Sequence, residues 1–362
     1  MLTVAPAPFL FPVKYKKMIN LDKIYSLLEN EPKFRLKQID KLIFQDLIDD
    51  WLKATTLPLN LRETLNDQAS LNILAETQIT KNRNTIKALM TLDDGLKIEA
   101  VLMKYPARNR LSDSLAGGPD RNTVCVSSQV GCPLGCLFCA TGSMGFKRNL
   151  TVSEIVGQII YFARILNSEN QKITNIVFMG MGEPFLNYDN VISAIKTLNN
   201  PDKMGLGARR FSISTCGIIE GIEKFTDEPM EINLAISLHT ANNELRSKLM
   251  PINLKYPLDL VMNAVRDYVV KTKRKVMFEY VLLNGINDSE AQALELANRM
   301  KNTFFHVNLI EYNETGGAYQ ASPRERVNAF KKVLETEGIS FTERQSLGKE
   351  IKGACGQLAT KI

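Results

Sequence analysis

Residues 125–142 read CVSSQVGCPLGCLFCATG, which places four of the chain's six cysteines within a stretch of fifteen residues. Three of them, Cys132, Cys136 and Cys139, are spaced C-x3-C-x2-C, while Cys125 stands upstream with six residues between it and that group. Thiolates at the triplet spacing can wrap one face of a [4Fe-4S] cluster and leave one iron without a protein ligand, open to a substrate. The alternative is a structural zinc site that Cys125 closes as fourth thiolate, although such sites favour C-x2-C pairs. Spacing by itself leaves both open.

Working outward, the bulk composition is that of an ordinary globular chain. With 362 residues, 44% hydrophobic and 23% charged, it is long enough for one large core and a smaller appended domain. A net charge of +6 and an isoelectric point near 8.9 suit a polyanionic partner. Six cysteines are too sparse for a disulfide scaffold, and their clustering points to a reducing, cytoplasmic compartment and a metal or redox site. No run approaches eighteen apolar residues, so no membrane partner is expected. The opening MLTVAPAPFLFPVKYKKM is apolar but broken by Pro6, Pro8 and Pro12, and its basic residues follow rather than precede it, unlike a secretory signal. Residues 1–17 therefore read as an irregular arm.

From 18 to 75, apolar residues recur every three or four positions through DKIYSLLENE, FRLKQIDKLIFQDLIDDWLKA and NLRETLNDQASLNILAE, the pattern of a small helical domain. Residues 76–121 follow as a linking β-hairpin, NTIKALMTL and LKIEAVLMKY joined at Asp93-Asp94-Gly95, and a polar loop holding Gly117, Gly118 and Pro119. From 122 to 345 strands and helices alternate, which predicts an α/β fold with a parallel sheet and at least five βα units, a barrel or part of one. The strand ends then carry Met181 to Glu183, Ser214, Ser237 and Asn313, where ligands bind in such folds. The tail 346–362 holds Cys355 in GACG, which reads as a flexible loop. Cys216, in STCG, reads as a small packing residue.

The triplet with an aromatic residue, Phe138, before its last cysteine resembles the radical S-adenosylmethionine (SAM) signature, and MGMGEP at 179–184 is similar to that superfamily's glycine-rich SAM motif. The stretches VCVSSQVGC, GFKRNLTVSEI, GMGEPFLNYDNV, SISTCGI, AISLHTANNELRSKLMPIN, FEYVLL and ACGQL resemble the RlmN family from about Arg35 to Leu358. That resemblance implies a partial (β/α)6 radical SAM barrel with an N-terminal helical accessory domain that helps bind RNA. It further implies methylation of C2 of adenosine 2503 in 23S rRNA, and of an adenosine in some tRNAs. The sister Cfr family methylates C8 of the same adenosine and shares most of these motifs; GMGEP and FEYVLL lean toward C2.

By the same resemblance Cys132, Cys136 and Cys139 hold one [4Fe-4S] cluster, and two SAM molecules are used per turnover. Cys355 takes a methyl group from the first. A 5′-deoxyadenosyl radical from the second abstracts hydrogen from that methyl group, and the methylene radical adds to the adenine. Cys125 then removes the C2 proton and releases the thioether as a transient disulfide with Cys355. Gly182, Glu183, Ser214, Ser237, Leu238, His239 and Asn313 are implied SAM contacts, and Glu99 an implied proton acceptor, though on pattern alone it is the polar face of a strand. Implied partners are an electron donor such as flavodoxin or ferredoxin, and RNA phosphates at Lys147-Arg148, Arg209-Arg210 and Lys271 to Lys275; a monomer is expected.

Overall fold

The structure, a computed structural model, describes residues 18–105, 121–301 and 304–360. The arm expected over 1–17, and the 106–121 loop up to residue 120, lie outside the described residues.

The helical segment forms α1 (Leu21–Ser26), α2 (Lys33–Phe44) and α3 (Leu59–Gln68), with Ile39, Leu42, Ile43 and Phe44 on the buried side of α2. Buried Trp51 ties this layer together by donating its indole N–H to the Ala69 carbonyl at 2.7 Å. The helical pattern read through Ala75 stops seven residues earlier, at Gln68. Ser70 accepts the Asn72 N–H in a side-chain turn, and Ala75–Ile79 becomes strand β1. A five-residue apolar alternation is as good a strand as a helix, and pairing with an open sheet edge decides it.

Strand β1 pairs antiparallel with β2 (Thr85–Thr91), and β2 with β3 (Lys97–Tyr105). The Asp93-Asp94-Gly95 turn closes as expected, with Gly95 at φ +87°. The hairpin is more than a linker, because β3 pairs antiparallel with β4 (Arg121–Cys125) in the register Val101 to Cys125. Between β4 and the next helix, β5 (Gln129–Gly131) and β6 (Phe146–Asn149) form a small antiparallel pair that brackets the cysteine loop. Six βα units follow one another: β4 with α4 (Val152–Ser168), β7 (Asn175–Phe178) with α5 (Tyr188–Asn199), β8 (Phe211–Thr215) with α6 (Ile219–Thr226), β9 (Asn233–Ser237) with α7 (Asn243–Leu249) and α8 (Leu258–Thr272), β10 (Val276–Leu282) with α9 (Glu290–Met300), and β11 (Phe305–Glu311) with α10 (Arg324–Thr336). Strand β12 (Phe341–Arg344) ends the series.

The sheet order is β1-β2-β3-β4-β7-β8-β9-β10-β11-β12, parallel from β4 onward, which is the partial (β/α)6 barrel extended by three antiparallel strands. Helices start where the sequence supplies caps: α4 and α9 open with reciprocal capping boxes, Thr151 with Glu154 and Ser289 with Gln292. One hydrophobic cluster runs from Met18 and Ile19 through the sheet to Leu358. The helical layer is joined to α4 by the Leu21 N–H to Ser153 Oγ bond at 3.0 Å and by Arg164, which donates to the Leu71 and Ile48 carbonyls. Among the described residues no helix is long and apolar enough to cross a membrane.

Trp51→Phe keeps most of the apolar volume but leaves the Ala69 carbonyl without its donor. A loss of about 1–3 kcal/mol in urea-denaturation stability is expected, and an unchanged midpoint would show that the bond does not hold this layer.

Candidate active site

The cysteine loop is fixed on every side by backbone bonds. Gln158 of α4 accepts the Ser127 N–H at 2.8 Å and donates to its carbonyl at 3.0 Å. Ser127 Oγ donates to the Glu99 carbonyl at 2.6 Å and accepts the Met181 N–H at 2.9 Å. Leu137 N–H, between the second and third cysteines of the triplet, donates to the Leu249 carbonyl at the end of α7. The glycines after β7 serve this same contact. A Cβ on Gly180 would lie 2.6 Å from the Val126 carbonyl oxygen, and one on Gly182, at φ +100°, would lie 2.5 Å from Gln129 Cβ. These glycines therefore let the strand end press against the cysteine loop, a role additional to the ligand approach that glycine richness suggested.

Cys132, Cys136 and Cys139 line one cavity with an empty volume of about 970 Å³ at the carboxyl ends of the parallel strands. Burial pushes the Cys132 and Cys139 thiols above their ordinary range. Gly182, Ser214, Ser237, His239 and Cys355 line the same cavity, with the two serine hydroxyls 3.2 Å apart. His239 sits at φ +60°, its Nδ1 accepting the Val281 N–H at 3.1 Å and its ring edge-on to Phe138. Burial, and then the charge of Arg246, lower its pKa to about 3, so the imidazole is neutral with its proton on Nε2.

Three of the expected contacts are placed otherwise. The Glu183 carboxylate is consumed by the Phe185 and Cys216 N–H groups, at 3.0 and 2.8 Å, and burial raises its pKa. Leu238 is wholly buried in the core. Asn313 donates its amide to the Cys355 carbonyl at 3.1 Å, while its Oδ1 is buried without a hydrogen-bond partner.

A second compartment, of about 750 Å³, shares Cys139, Met179, Arg344 and Cys355 with the first and adds Cys125. Cys125 and Cys355, 230 positions apart in sequence, thus line one space. Both thiols are free in this structure. Burial, and then the neighbouring Cys355, push Cys125 up to about 12. Cys355 is enclosed by protein but open to the cavity; burial raises its pKa, opposed by the charge of Arg344. Arg344 is held by Glu279 at 3.2 Å.

The tail is not the free loop that GACG suggested. The Gly356 and Leu358 carbonyls accept from Ala140 N–H at 2.8 Å and Thr141 Oγ1 at 2.6 Å, and Ala359 N–H donates to Glu99 Oε2 at 2.9 Å. Glu99 lines neither compartment and is ion-paired to Lys87 at 2.9 Å.

Sequence reading missed Arg344, Glu279 and the placement of Cys216. Arg344 and Cys216 lie at strand ends, the signal that selected Ser214 and Ser237 but was not carried as far as β12, whereas Glu279 is in the middle of β10 and carried no such signal. Cys216 lines the cavity, and the neighbouring Cys136 and then burial hold its thiol well above the ordinary range. Several expected RNA-binding cations are spent within the protein: Arg148 on Asp94 and Glu154, Arg209 on Glu231, and Lys271 on Asp227.

The donor set suits a cluster and SAM. Three thiols share a cavity with a neutral imidazole and two hydroxyls, next to a buried amide oxygen that lacks a donor. A sequence profile of the Radical SAM superfamily matches residues 126–297. A probable dual-specificity RNA methyltransferase RlmN from Dictyoglomus thermophilum is 42% identical over 342 residues, 94% of each chain. The chain belongs to the RlmN family. A ribosomal RNA large subunit methyltransferase N from Nitrosopumilus maritimus is 42% identical over 334 residues, covering 91% of this chain and 93% of that one. A crystal structure of a radical SAM methyltransferase from Sphaerobacter thermophilus superposes with a TM-score of 0.87 at 40% identity, covering 95% of this chain and 99% of that one. This RlmN-family chain is therefore a radical SAM methyltransferase, and its family implies a [4Fe-4S] cluster and SAM.

The neutral His239 makes stability depend on pH. Its folded pKa lies below the ordinary 6.5, so the unfolded chain takes up the proton first. The associated stability is complete above about pH 6.5 and is lost as pH falls toward about 3. His239→Gln, which can still accept the Val281 N–H but does not titrate, should lose less melting temperature than the parent between about pH 7 and about pH 5. Equal losses would rule out His239 as the source.

Proposed function

We propose that this RNA methyltransferase methylates C2 of adenosine 2503 in 23S rRNA, and an adenosine of tRNA, through a methylated Cys355. The observation that carries the reading is the shared compartment of Cys125 and Cys355 beside the three-cysteine cavity. Cys132, Cys136 and Cys139 would hold the cluster, and when bound the cluster and SAM would supply a methyl group and a radical able to abstract hydrogen from it.

The residues of the chain account for the rest. C2 of adenine is electrophilic, so the carbon to be added must first be carried on a nucleophile, and a thiolate is the strongest the chain offers there. Cys355 lines both compartments and can face the methyl donor on one side and the adenine on the other. The Ser214 and Ser237 hydroxyls and the His239 Nε2–H offer hydrogen bonds to SAM, with Gly182 opening its backbone toward it. Once the radical adduct has given up one electron, Cys125, which must first lose its own thiol proton against the burial that disfavours its thiolate, would take the C2 proton. Deprotonated again, its sulfur would attack Cys355 Sγ; the bond from Cys355 to the methylene carbon would break with its electron pair going to that carbon, which takes up a proton to become the methyl group as the disulfide forms. Glu99 anchors the tail through Ala359. An adenine in folded RNA has to be unstacked to reach this depth.

Cys355→Ala is expected to abolish methylation, and Cys125→Ala to accumulate protein crosslinked to RNA, seen as a shifted band that nuclease collapses. Normal turnover by the Cys125 variant would overturn its assignment. Mass spectrometry of digested RNA reads the position, and an 8-methyladenosine product would replace the C2 reading with C8.

Because Cys355 must ionise to accept the methyl group and burial raises its pKa, the rate of its S-methylation should climb steadily from about pH 7 to about pH 9. Arg344→Met removes the cation that favours the thiolate, so loading should be slower near pH 7.5 and recover in part near pH 9. A flat profile in both proteins, measured by peptide mass spectrometry, would contradict this.

A further inference from the structure

Arg246 of α7 is the one arginine among the fully buried side chains of the described residues, at 0% exposure. Its guanidinium has ample hydrogen bonds, all to neutral acceptors: Nε to the Leu238 carbonyl at 3.3 Å, Nη1 to Asn253 Oδ1 at 2.6 Å, and Nη2 to the Cys216 and Ser237 carbonyls at 2.7 and 3.1 Å. Among the described residues no carboxylate pairs with it. Two other deeply placed cations have carboxylate partners, Lys87 with Glu99 and Arg344 with Glu279, while Arg164, at the helical layer, is held by backbone carbonyls. Taking a cation out of water costs several kcal/mol unless an anion stands near it, and neutral dipoles recover only part of that.

The position of Arg246 supplies the missing anion. Two of the carbonyls it holds belong to Cys216 and Ser237, both of which line the cavity together with Cys136. The same helix end accepts the Leu137 N–H of the cysteine loop. The guanidinium therefore stands directly behind the wall that carries the cysteine triplet. A cluster ligated by three thiolates is anionic there and gains a further negative charge on one-electron reduction. A fixed buried cation stabilises the reduced state more than the oxidised one, and so raises the reduction potential.

We propose that Arg246 is the buried counter-charge of the iron–sulfur cluster, a positioning residue that makes its reduction easier while bracing the ends of β8 and β9. The inference rests on the cluster reading of Cys132, Cys136 and Cys139. It is tested on full-length protein reconstituted anaerobically, comparing wild type, Arg246→Lys and Arg246→Gln by iron content and by redox titration followed by electron paramagnetic resonance. At the wild-type midpoint the ratio of reduced to oxidised cluster should fall about tenfold in Arg246→Gln, equivalent to about 59 mV for one electron. Arg246→Lys, which keeps the charge and loses most of the bracing, should stay within about twofold of wild type. If the glutamine variant retains its cluster and titrates as wild type, or if both variants fail alike, Arg246 is a brace and the counter-charge is overturned. A wild-type protein that takes up no iron would remove the cluster reading itself, and this inference with it.

Discussion

The buried ion pair of Lys87 and Glu99, 2.9 Å apart with side chains 4% and 1% exposed, is the constraint to which the other parts of the centre are tied. It joins β2 to β3 in the antiparallel extension, where Leu89 stands opposite Glu99. From Glu99 the ties spread outward: its carbonyl takes the Ser127 hydroxyl at the head of the cysteine loop, its N–H reaches Met181 Sδ after β7, and its carboxylate takes Ala359 N–H from the tail. Removing one partner of such a pair leaves an uncompensated buried charge, at a cost of about 3–5 kcal/mol. The hairpin is thus the foundation on which loop and tail are held in register.

Around that foundation the six cysteines are sorted by environment. Cys132, Cys136 and Cys139 face the larger chamber, and Cys216 lines it with them. Cys125, at the end of β4, is walled off in the smaller chamber, and Cys355 stands at the boundary between the two. Arg344 at the same boundary, held by Glu279, keeps a positive charge where a thiol must ionise. Arg246 supplies another behind the triplet. Cations placed at two separate points give the two sets of thiols different chemistry in one connected space.

Much of this was legible in the sequence, because period and spacing are local. The alternation after Val124 gave the parallel sheet, the Asp-Asp-Gly turn gave the hairpin, and the triplet gave the cavity's thiols. Less legible was whatever depends on partners distant in sequence. Ala75–Ile79 became a strand because an edge was available to pair with, not because its pattern required one. The glycines of MGMGEP looked like ligand contacts, whereas their missing side chains also admit Val126 and Gln129. Cys216 and Leu238 were exchanged in kind: the residue read as packing faces the cavity, and one read as a contact is buried in the core. Neighbouring positions at a strand end point in opposite directions, so a shift of one residue reverses the assignment.

The fastening of the tail also bears on the order in which the centre is built. Cys132, Cys136 and Cys139 lie within eight residues of one another, and closing so short a loop asks little of the chain's conformational freedom. Ala359 reaches Glu99 across 260 residues, and Leu358 reaches Thr141 across 217. Contacts of that span form late in folding, once the sheet between them exists. On the proposed reading, the thiols that would hold the cluster can be organised while the chamber is still open on the side that Cys355 later occupies, and the tail would close over a site already shaped.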